Sequence, residues 1–270
     1  MVNGYYESEY EEAVLSLLFE QHWEISHGEA LHRKFSDVLL LDDLKTFLQR
    51  NYQELSDDEV NQIVFNLRNT GGNTDYLSLR NVASLCVNGF IFQRADSTLP
   101  DVPIDYIDFE HWDNNVFRAV NQLTIREHGV ERRPDILLFV NGIPLCIIEL
   151  KNPAQRQATI FDAWEQIHVR YKRDIPSLMK FCLMSVISDG GAPQGSALHM
   201  RHLSITTLGR RLRTRMTLLQ GWARCKRLSK EPFHLSVFLR LFGTLFTFLT
   251  FRKVNNVRRK LSVAILSFLQ

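Results

Sequence analysis

Apolar residues recur at helical spacing in the first part of the chain, with acidic residues between them. Residues 14–18, for example, place valine and leucine on one side of a helix. The start of another helix is marked by Ser56, an N-cap residue followed three positions later by Glu59, as in a capping box. The pattern predicts three helices, over residues 7–21, 35–50 and 57–68.

The pattern changes after residues 98–103, where two prolines predict an exposed connector. Short runs rich in Val, Ile, Phe and Leu follow, and turn signals at His128-Gly129 and Asn141-Gly142 separate them. These runs predict three antiparallel strands, then a helix, then a last short strand: residues 116–126, 134–140, 143–151, 157–171 and 181–187. The order indicates an α/β core with a mixed sheet covered by helices.

The net charge of +2 conceals two segments of different composition. Residues 1–190 hold 17 Lys and Arg against 29 Asp and Glu, a balance of −12. Residues 191–270 hold 15 bases against one acid, a balance of +14. We therefore predict a domain over residues 1–190 and a tail of different character over 191–270.

The cysteines and the N-terminal residues indicate the cellular compartment of the protein. The four cysteines form no CxxC pair, so neither a zinc site nor a disulfide framework is indicated. Residues 1–10 carry acids where a secretory signal would carry bases and an apolar run. We expect a cytoplasmic protein.

Charged residues interrupt the apolar run at residues 143–151. Glu149 and Lys151 lie two positions apart, so in a strand both project from one face while Ile148 and Leu150 project from the other. Burying such charges is costly unless something offsets their desolvation, as a divalent cation and a phosphate would. A strand-end salt bridge is the plainer alternative.

A second acid, Asp135, can reach Glu149 only if the intervening hairpin has the right register. With a plain two-residue loop at Asn141-Gly142, strand parity turns Asp135 away from Glu149. A three-residue loop sets the two opposite each other with Cβ atoms about 5 Å apart, and a bulge or another odd loop also restores the common face. We predict an odd loop or a bulge, because a regular two-residue hairpin would defeat the site.

These residue types suit phosphodiester hydrolysis. Magnesium usually takes one or two carboxylates and keeps several waters, which leaves positions for a phosphate oxygen and a nucleophilic water. Asp135 and Glu149 would be the ligands. Lys151 would orient the nucleophile and offset the charge that develops on the phosphorane.

The same residues carry a family resemblance. Pro134-Asp135 followed by Glu149-x-Lys151 resembles the PD-(D/E)xK nuclease signature. Over residues 5–190 the chain resembles the N-terminal endonuclease domain of the R (HsdR) subunit of type I restriction-modification enzymes. The resemblance rests on three phrases: Arg133-Pro134-Asp135, Phe139-Val140-Asn141-Gly142-Ile143-Pro144-Leu145 and Glu149-Leu150-Lys151-Asn152-Pro153.

The resemblance implies a restriction-endonuclease-like fold that cleaves double-stranded DNA with Mg²⁺, or with Mn²⁺ in its place, inside a complex with methyltransferase and specificity subunits. In the family, cleavage is coupled to ATP-driven translocation by motor domains. No GxxxxGK[ST] phosphate loop occurs here, so we expect the motor to be absent. The competing interpretation is a catalytically silent module of the same fold that binds DNA or docks onto the complex.

The resemblance implies further site residues. The family has a Gln-x-x-x-Tyr element, which Gln166 and Tyr171 match with one residue too many. In an α-helix that spacing rotates Tyr171 off the glutamine's face, so only Gln166 is carried over. The family also places a helical glutamate near the metal, for which Glu9 and Glu12 are the candidates, although a solvated helix face suits them better than a metal role.

Arg132 and Arg133 precede the first acid of the signature. They can contact DNA phosphates, or they can form a solvated turn.

The basic and apolar tail admits three interpretations. Its basic clusters, at residues 210–213 and 258–260, would suit DNA backbone, and the apolar run 233–251 resembles a poor membrane span. Alternatively, the tail is translated out of frame from near Ala192. Residues 202–212, re-read one frame over with codons chosen to allow it, permit a stretch similar to the family's continuation. We expect the tail not to be a functional domain and the protein not to contact a membrane.

Overall fold

The structure is a computed structural model that describes residues 3–150, 160–188, 204–207 and 210–212, all within the first of two units into which the chain divides, Met1–Lys230. The helices are α1 (Asn3–Phe19), α2 (Leu41–Asn51), α3 (Asp57–Asn69), α4 (Asp75–Asn88), α5 (Ile160–Glu165), α6 (Lys172–Asp174) and α7 (Pro176–Met179). A π-helical segment, Gln166–Tyr171, joins α5 to α6 and is called the π-turn below.

The strands are β1 (Glu24–His27), β2 (Phe90–Phe92), β3 (Val102–Ile104), β4 (Phe117–Asn121), β5 (Ile125–Glu127), β6 (Val130–Arg132), β7 (Ile136–Val140), β8 (Ile143–Leu150), β9 (Met184–Ser188), β10 (Ser204–Thr207) and β11 (Arg210–Leu212). The main sheet has the order β1-β4-β7-β8-β9-β10-β11. Strands β4, β7 and β8 form an antiparallel meander, while β1 is parallel to β4 and β9 is parallel to β8. The predicted mixed α/β fold and its meander are confirmed.

The first predicted strand, residues 116–126, is in fact two strands. The backbone leaves the sheet after β4 at Gln122, whose φ is +53°, and continues into β5. Strands β5 and β6 form a small hairpin of their own, turning at His128-Gly129 as expected. This hairpin lies between β4 and β7 in the chain.

The centre of the main sheet is apolar on both faces. Every residue of β7 and β8 is buried, which is the pattern of strands covered on both sides. Glu149 is the only charged residue within these two strands, and its presence there needs an explanation from its surroundings.

The three predicted N-terminal helices are present with shifted ends, since α1 runs over Asn3–Phe19 rather than residues 7–21. The capping box of α3 forms as predicted: Ser56 accepts from the Glu59 amide, and the Glu59 carboxylate accepts from the Ser56 amide. Helix α2, however, begins at Leu41 rather than at residue 35. The Leu40 amide donates to the carbonyl of Gly142, which holds the preceding segment against the central hairpin instead of in a helix.

Two elements depart from the predictions elsewhere. Helix α4, capped by Thr74, was not predicted. The predicted connector 98–103 ends inside β3, where Pro103 pairs with Ile91 of β2. A two-stranded sheet tolerates a proline because the missing amide can face outward. Among the described residues no helix has the length and apolar character to cross a membrane, and the apolar run 233–251 lies outside them.

Candidate active site

The central hairpin turns at Asn141-Gly142. Both residues have positive φ, +49° and +76°, and Val140 pairs with Ile143, so this is a two-residue turn of the type that matches strand twist. A Cβ on Gly142 would lie 2.2 Å from the Leu40 carbonyl oxygen, so only glycine fits. The loop is even, which by itself would turn Asp135 away from Glu149.

A bulge in β8 corrects this parity. Phe139 pairs with Pro144, but the next residue, Leu138, pairs with Cys146, so Leu145 has no partner on β7. From there the register runs to Ile136 opposite Ile148, and one further step sets Asp135 opposite Glu149. The predicted odd loop or bulge is confirmed, in the form of the bulge.

Asp135 lies at the point where β7 begins, and backbone groups hold it there. Its Oδ2 accepts from the Leu150 amide at 2.7 Å, across the strand pair. Its carbonyl accepts from the amide of Gln122 at 2.9 Å. The carboxylate is therefore fixed beside the end of β8.

Glu149 is fully buried, at 0% exposure, on β8 beside Ile187 of β9. Burial of a carboxylate is costly unless hydrogen bonds stabilise it. The Gln166 side chain supplies one, with Nε2 donating to Oε2 at 2.8 Å. The structure therefore brings Asp135, Glu149 and Gln166 together, as the sequence predicted for these three.

Tyr171 also belongs to this group, contrary to our expectation. Gln166 Nε2 donates to the Tyr171 hydroxyl at 2.7 Å. The expectation assumed α-helical geometry, whereas the residues between them form the π-turn. Burial, and after it the nearby negative charges of Glu149 and Asp135, raise the pKa of Tyr171, so the phenol stays protonated.

The helical glutamate that faces the sheet is Glu11, while Glu9 and Glu12 are exposed. Glu11 accepts from Asn121 Nδ2 and from Gln122 Nε2, each at 2.7 Å. The backbone amide of Gln122 donates to the Asp135 carbonyl. A single residue, Gln122, therefore links Glu11 to Asp135.

The periodicity of α1 contained a signal for Glu11. The buried face of the helix runs through Val14, Leu15 and Leu18, and the position three residues before Val14 is Glu11. An acid on the extension of an apolar face is the residue to suspect, rather than its exposed neighbours.

The two arginines have different surroundings. Arg132 Nε donates to Asp174 Oδ2 at 2.8 Å, and Arg133 lies 3.7 Å from the exposed Glu29. Hydrogen bonds from Arg173 and then from Arg132 lower the pKa of Asp174 to about 2. Arg132 thus joins β6 to the end of α6, and an ionic partner competes with any phosphate it would bind.

Two of the predicted site residues, Asp135 and Glu149, could hold one magnesium ion. Lys151, the remaining predicted catalytic residue, lies outside the described residues. In the part of the chain that the structure describes, no three Asp, Glu, His or Cys side chains gather into a metal centre. Asp135 and Glu149 supply two carboxylates, and one or two is the number magnesium usually takes from protein, with waters for the rest.

Comparison with known proteins agrees with this geometry. Residues 4–192 match the sequence model of the family described as type I restriction enzyme R protein N terminus. The chain is 33% identical over 196 residues to the HindI endonuclease subunit of a type I restriction enzyme from Haemophilus influenzae, which covers 68% of this chain and 18% of the relative.

Two staphylococcal relatives are more distant or match over a shorter segment. The SauMSSORF170P endonuclease subunit of Staphylococcus aureus is 26% identical over 157 residues, 56% of this chain and 16% of the relative. The SsaAORF53P endonuclease subunit of Staphylococcus saprophyticus is 30% identical over 90 residues, 33% of this chain and 9% of the relative. The chain spans less than a fifth of the length of each of these three relatives.

Proposed function

Since the chain belongs to the family of type I restriction enzyme R protein N-terminal domains, we propose that residues 1–190 form a magnesium-dependent endonuclease domain that hydrolyses DNA phosphodiesters. One observation supports the proposal: the bulge at Leu145 gives the central hairpin a register that ends with Ile136 opposite Ile148, and its continuation by one residue would set Asp135 opposite Glu149. Two fixed carboxylates at a strand end are what a nuclease of this class needs.

Asp135 and Glu149 would hold the magnesium, or manganese in its place. When bound, the ion would lower the pKa of a water and polarise a phosphoryl oxygen. The Leu150 amide keeps Asp135 in position, and the Gln166 amide keeps Glu149 in position. Lys151, two residues beyond Glu149, would offset charge on the phosphorane, and Glu11 would extend the acidic surface toward α1.

The partners follow from the family. We propose that the chain binds double-stranded DNA in the cytoplasm, within a complex that contains methyltransferase and specificity subunits. ATP would act only through motor domains, for which residues 1–190 hold no phosphate loop. The HindI relative is named as one subunit of its enzyme, which supports a role within an assembly.

We also propose that residues 191–270 are not a functional domain and are read out of frame from near Ala192. The family match ends at residue 192, next to the point where acids vanish from the sequence. Sequencing the gene across Gly190 tests this idea, and a natural frame that encodes the same tail would refute it.

The experiment that tests the nuclease proposal measures nicking of supercoiled plasmid with and without Mg²⁺, alongside Mn²⁺ binding. The wild-type chain should bind Mn²⁺ and nick, and Glu149→Ala should lose both. Glu131→Ala is the matched control, because Glu131 is an exposed acid that pairs with Arg126 on the surface. Mn²⁺ binding that survives Glu149→Ala would contradict the proposed site, and binding of DNA without Mn²⁺ binding or cleavage would indicate the docking module.

A further inference from the structure

The chain changes direction at Gln122, just after β4 and next to the first acid of the site. Gln122 has a φ of +53°, a left-handed conformation that is strained for a residue other than glycine. In this conformation its backbone amide donates to the Asp135 carbonyl at 2.9 Å, and its side-chain Nε2 donates to Glu11 Oε2 at 2.7 Å. Gln122 is therefore bonded at the same time to the residue that precedes β7 and to helix α1.

Asn121, the last residue of β4, has a second unfavourable feature. Its Nδ2 donates to Glu11 Oε1 at 2.7 Å, which fixes the orientation of the side-chain amide. In that orientation the Oδ1 atom of Asn121 is buried and accepts no hydrogen bond within the part of the chain that the structure describes. A buried acceptor without a donor destabilises a fold. The bond from Asn121 to Glu11 thus forms although it leaves this oxygen unsatisfied.

Glu11 is not needed to attach α1 to the sheet. The apolar residues Val14, Leu15 and Leu18 already bury one face of the helix, and α1 contacts β1 and β8. Glu11 is 9% exposed, and its two oxygens accept from neutral amides. It forms no ion pair with any residue that the structure describes. A buried carboxylate whose charge no base offsets is unfavourable by itself and is stabilised when a cation binds nearby.

We propose that Asn121 and Gln122 are positioning residues for Glu11: together they hold its buried carboxylate at the end of β7 that carries Asp135, where its charge attracts the cation. The inference rests on the proposed function, because the cation is the one that Asp135 and Glu149 would hold. Each amide acts through Glu11, and neither contacts the cation itself.

Neutral amides suit this role better than bases would. A lysine or arginine in their place would also hold the carboxylate, but its positive charge would cancel the attraction for a cation. An amide donates a hydrogen bond and leaves the negative charge of Glu11 intact. The strained φ of Gln122 and the unsatisfied oxygen of Asn121 fit this interpretation, because local strain is often retained where function requires a particular geometry.

The test measures the Mn²⁺ affinity of the full chain by electron paramagnetic resonance for wild type, Gln122→Gly, Asn121→Ala, Glu11→Gln and the double variant of Gln122→Gly with Glu11→Gln. Residues that orient groups at a metal site usually change affinity by about 10–100-fold, so Gln122→Gly and Asn121→Ala should each raise Kd about 10-fold. If Gln122 acts through Glu11, the double variant should bind no more weakly than Glu11→Gln alone. Gln49→Ala is the matched control, because the Gln49 amide also donates to a carboxylate, that of Asp57, but joins α2 to α3.

Thermal unfolding separates positioning from structural support. Glycine adopts the φ of Gln122 without strain and keeps the backbone bond to Asp135, so Gln122→Gly should have a Tm close to that of wild type while its Mn²⁺ affinity falls. A merely structural side chain would show the opposite, a lower Tm with unchanged affinity.

The outcomes separate this inference from the proposed function. If wild type binds no Mn²⁺, the proposed function fails and this inference fails with it. If wild type binds Mn²⁺ and Gln122→Gly binds equally well, the positioning role alone is refuted. The same holds if Gln49→Ala weakens binding to the same degree, or if Gln122→Gly weakens binding further in the Glu11→Gln background.

Discussion

The central hairpin and the helix that follows it each contain one residue more than a regular element would hold. In β8 the extra residue is Leu145, and in the helix the π-turn accommodates the extra residue between Gln166 and Tyr171. A strand has a period of two, so one residue moves every later side chain to the opposite face. A helix has a period near 3.6, so one residue only rotates them.

The two irregularities therefore differ in what regular geometry would do to the same sequence. If Leu145 were paired in a regular ladder, Asp135 would stand opposite Ile148, Glu149 would face away, and no site would exist. If residues 166–171 were α-helical, Tyr171 would only be rotated about the axis relative to Gln166. We infer that both irregularities accommodate one extra residue, and that the strand depends on its bulge more strictly than the helix depends on its π-turn.

Deletion of Leu145 and Cys146 together should have the largest effect, because it removes the bulge residue and one residue more. A regular ladder would then set Asp135 opposite Leu150, with Glu149 facing away from it. Deletion of Leu145 alone is the control, because its regular ladder pairs Leu138 with Cys146 and keeps Asp135 opposite Glu149. We expect the double deletion to abolish Mn²⁺ binding and nicking and the single deletion to retain them, as measured by electron paramagnetic resonance and plasmid assay.

Leu145→Ala separates register from packing. Leu145 is 2% exposed, so truncating it should cost about 2–5 kcal/mol of unfolding free energy in a urea titration. The bulge would remain, and Mn²⁺ affinity at low temperature should be unchanged. Wild-type binding by the double-deletion variant would show that the strand register does not set the face of Glu149.

Gly142→Ala should have the next largest effect, because it disturbs the turn that precedes the bulge. Its φ of +76° disfavours a side chain, and a Cβ would meet the Leu40 carbonyl oxygen at 2.2 Å. We expect a loss of about 3 kcal/mol or more in urea unfolding. Gly129→Ala is the control: its φ is +78° but no atom lies within 4 Å of its Cβ, so only the backbone term of about 1–2 kcal/mol applies. Equal losses in the two variants would contradict the close packing at Leu40.

Acid should weaken the ion pairs that Asp174 forms with Arg132 and Arg173 just after the π-turn. The pKa of Asp174 is lowered from 3.8 to about 2 in the folded protein, so its ionised form contributes stability above the unfolded pKa. That contribution is lost as pH falls from about 3.8 toward 2. Thermal unfolding from pH 7 to pH 2 should show a smaller decrease in Tm for Asp174→Asn than for wild type. An identical decrease in Tm for both proteins would show that Asp174 does not contribute to acid unfolding.

Deletion of Val169 should have the smallest effect. Val169 is exposed, and its loss restores the spacing of four between Gln166 and the tyrosine. We expect Mn²⁺ affinity and stability within about 0.5 kcal/mol of wild type, the range for surface positions away from packing. A loss of binding as complete as that from deleting Leu145 and Cys146 together would show that the π-turn is itself required.

Local signals in the sequence predicted the elements they control. Ser56 and Glu59 gave the start of α3, because a capping box needs only residues three apart. Asp135 and Glu149 were paired correctly, because strand parity left a bulge or an odd loop as the only way to form a site. Both arguments used residues close in sequence or a fixed period of two.

The misses came from tertiary contacts and from an assumed period. Helix α2 starts later than predicted because Leu40 is bonded to Gly142, about a hundred residues away in the chain. Tyr171 was set aside because the helix was assumed to be regular. For the strand, in contrast, an extra residue in a bulge had been considered. Glu11 was passed over for exposed neighbours, although the apolar face of α1 extends to it.

The turn between β7 and β8 is buried, unlike the tips of most hairpins. Asn141 has no exposed surface. Its side chain accepts a hydrogen bond from the Val116 amide and donates one to the carbonyl of Tyr106. A fusion tag, an epitope or a break in the chain would therefore be poorly tolerated there. At the turn of the β5–β6 hairpin, a Cβ added to Gly129 would meet no atom within 4 Å, so this turn is the place to attach a fluorescent reporter of cation binding.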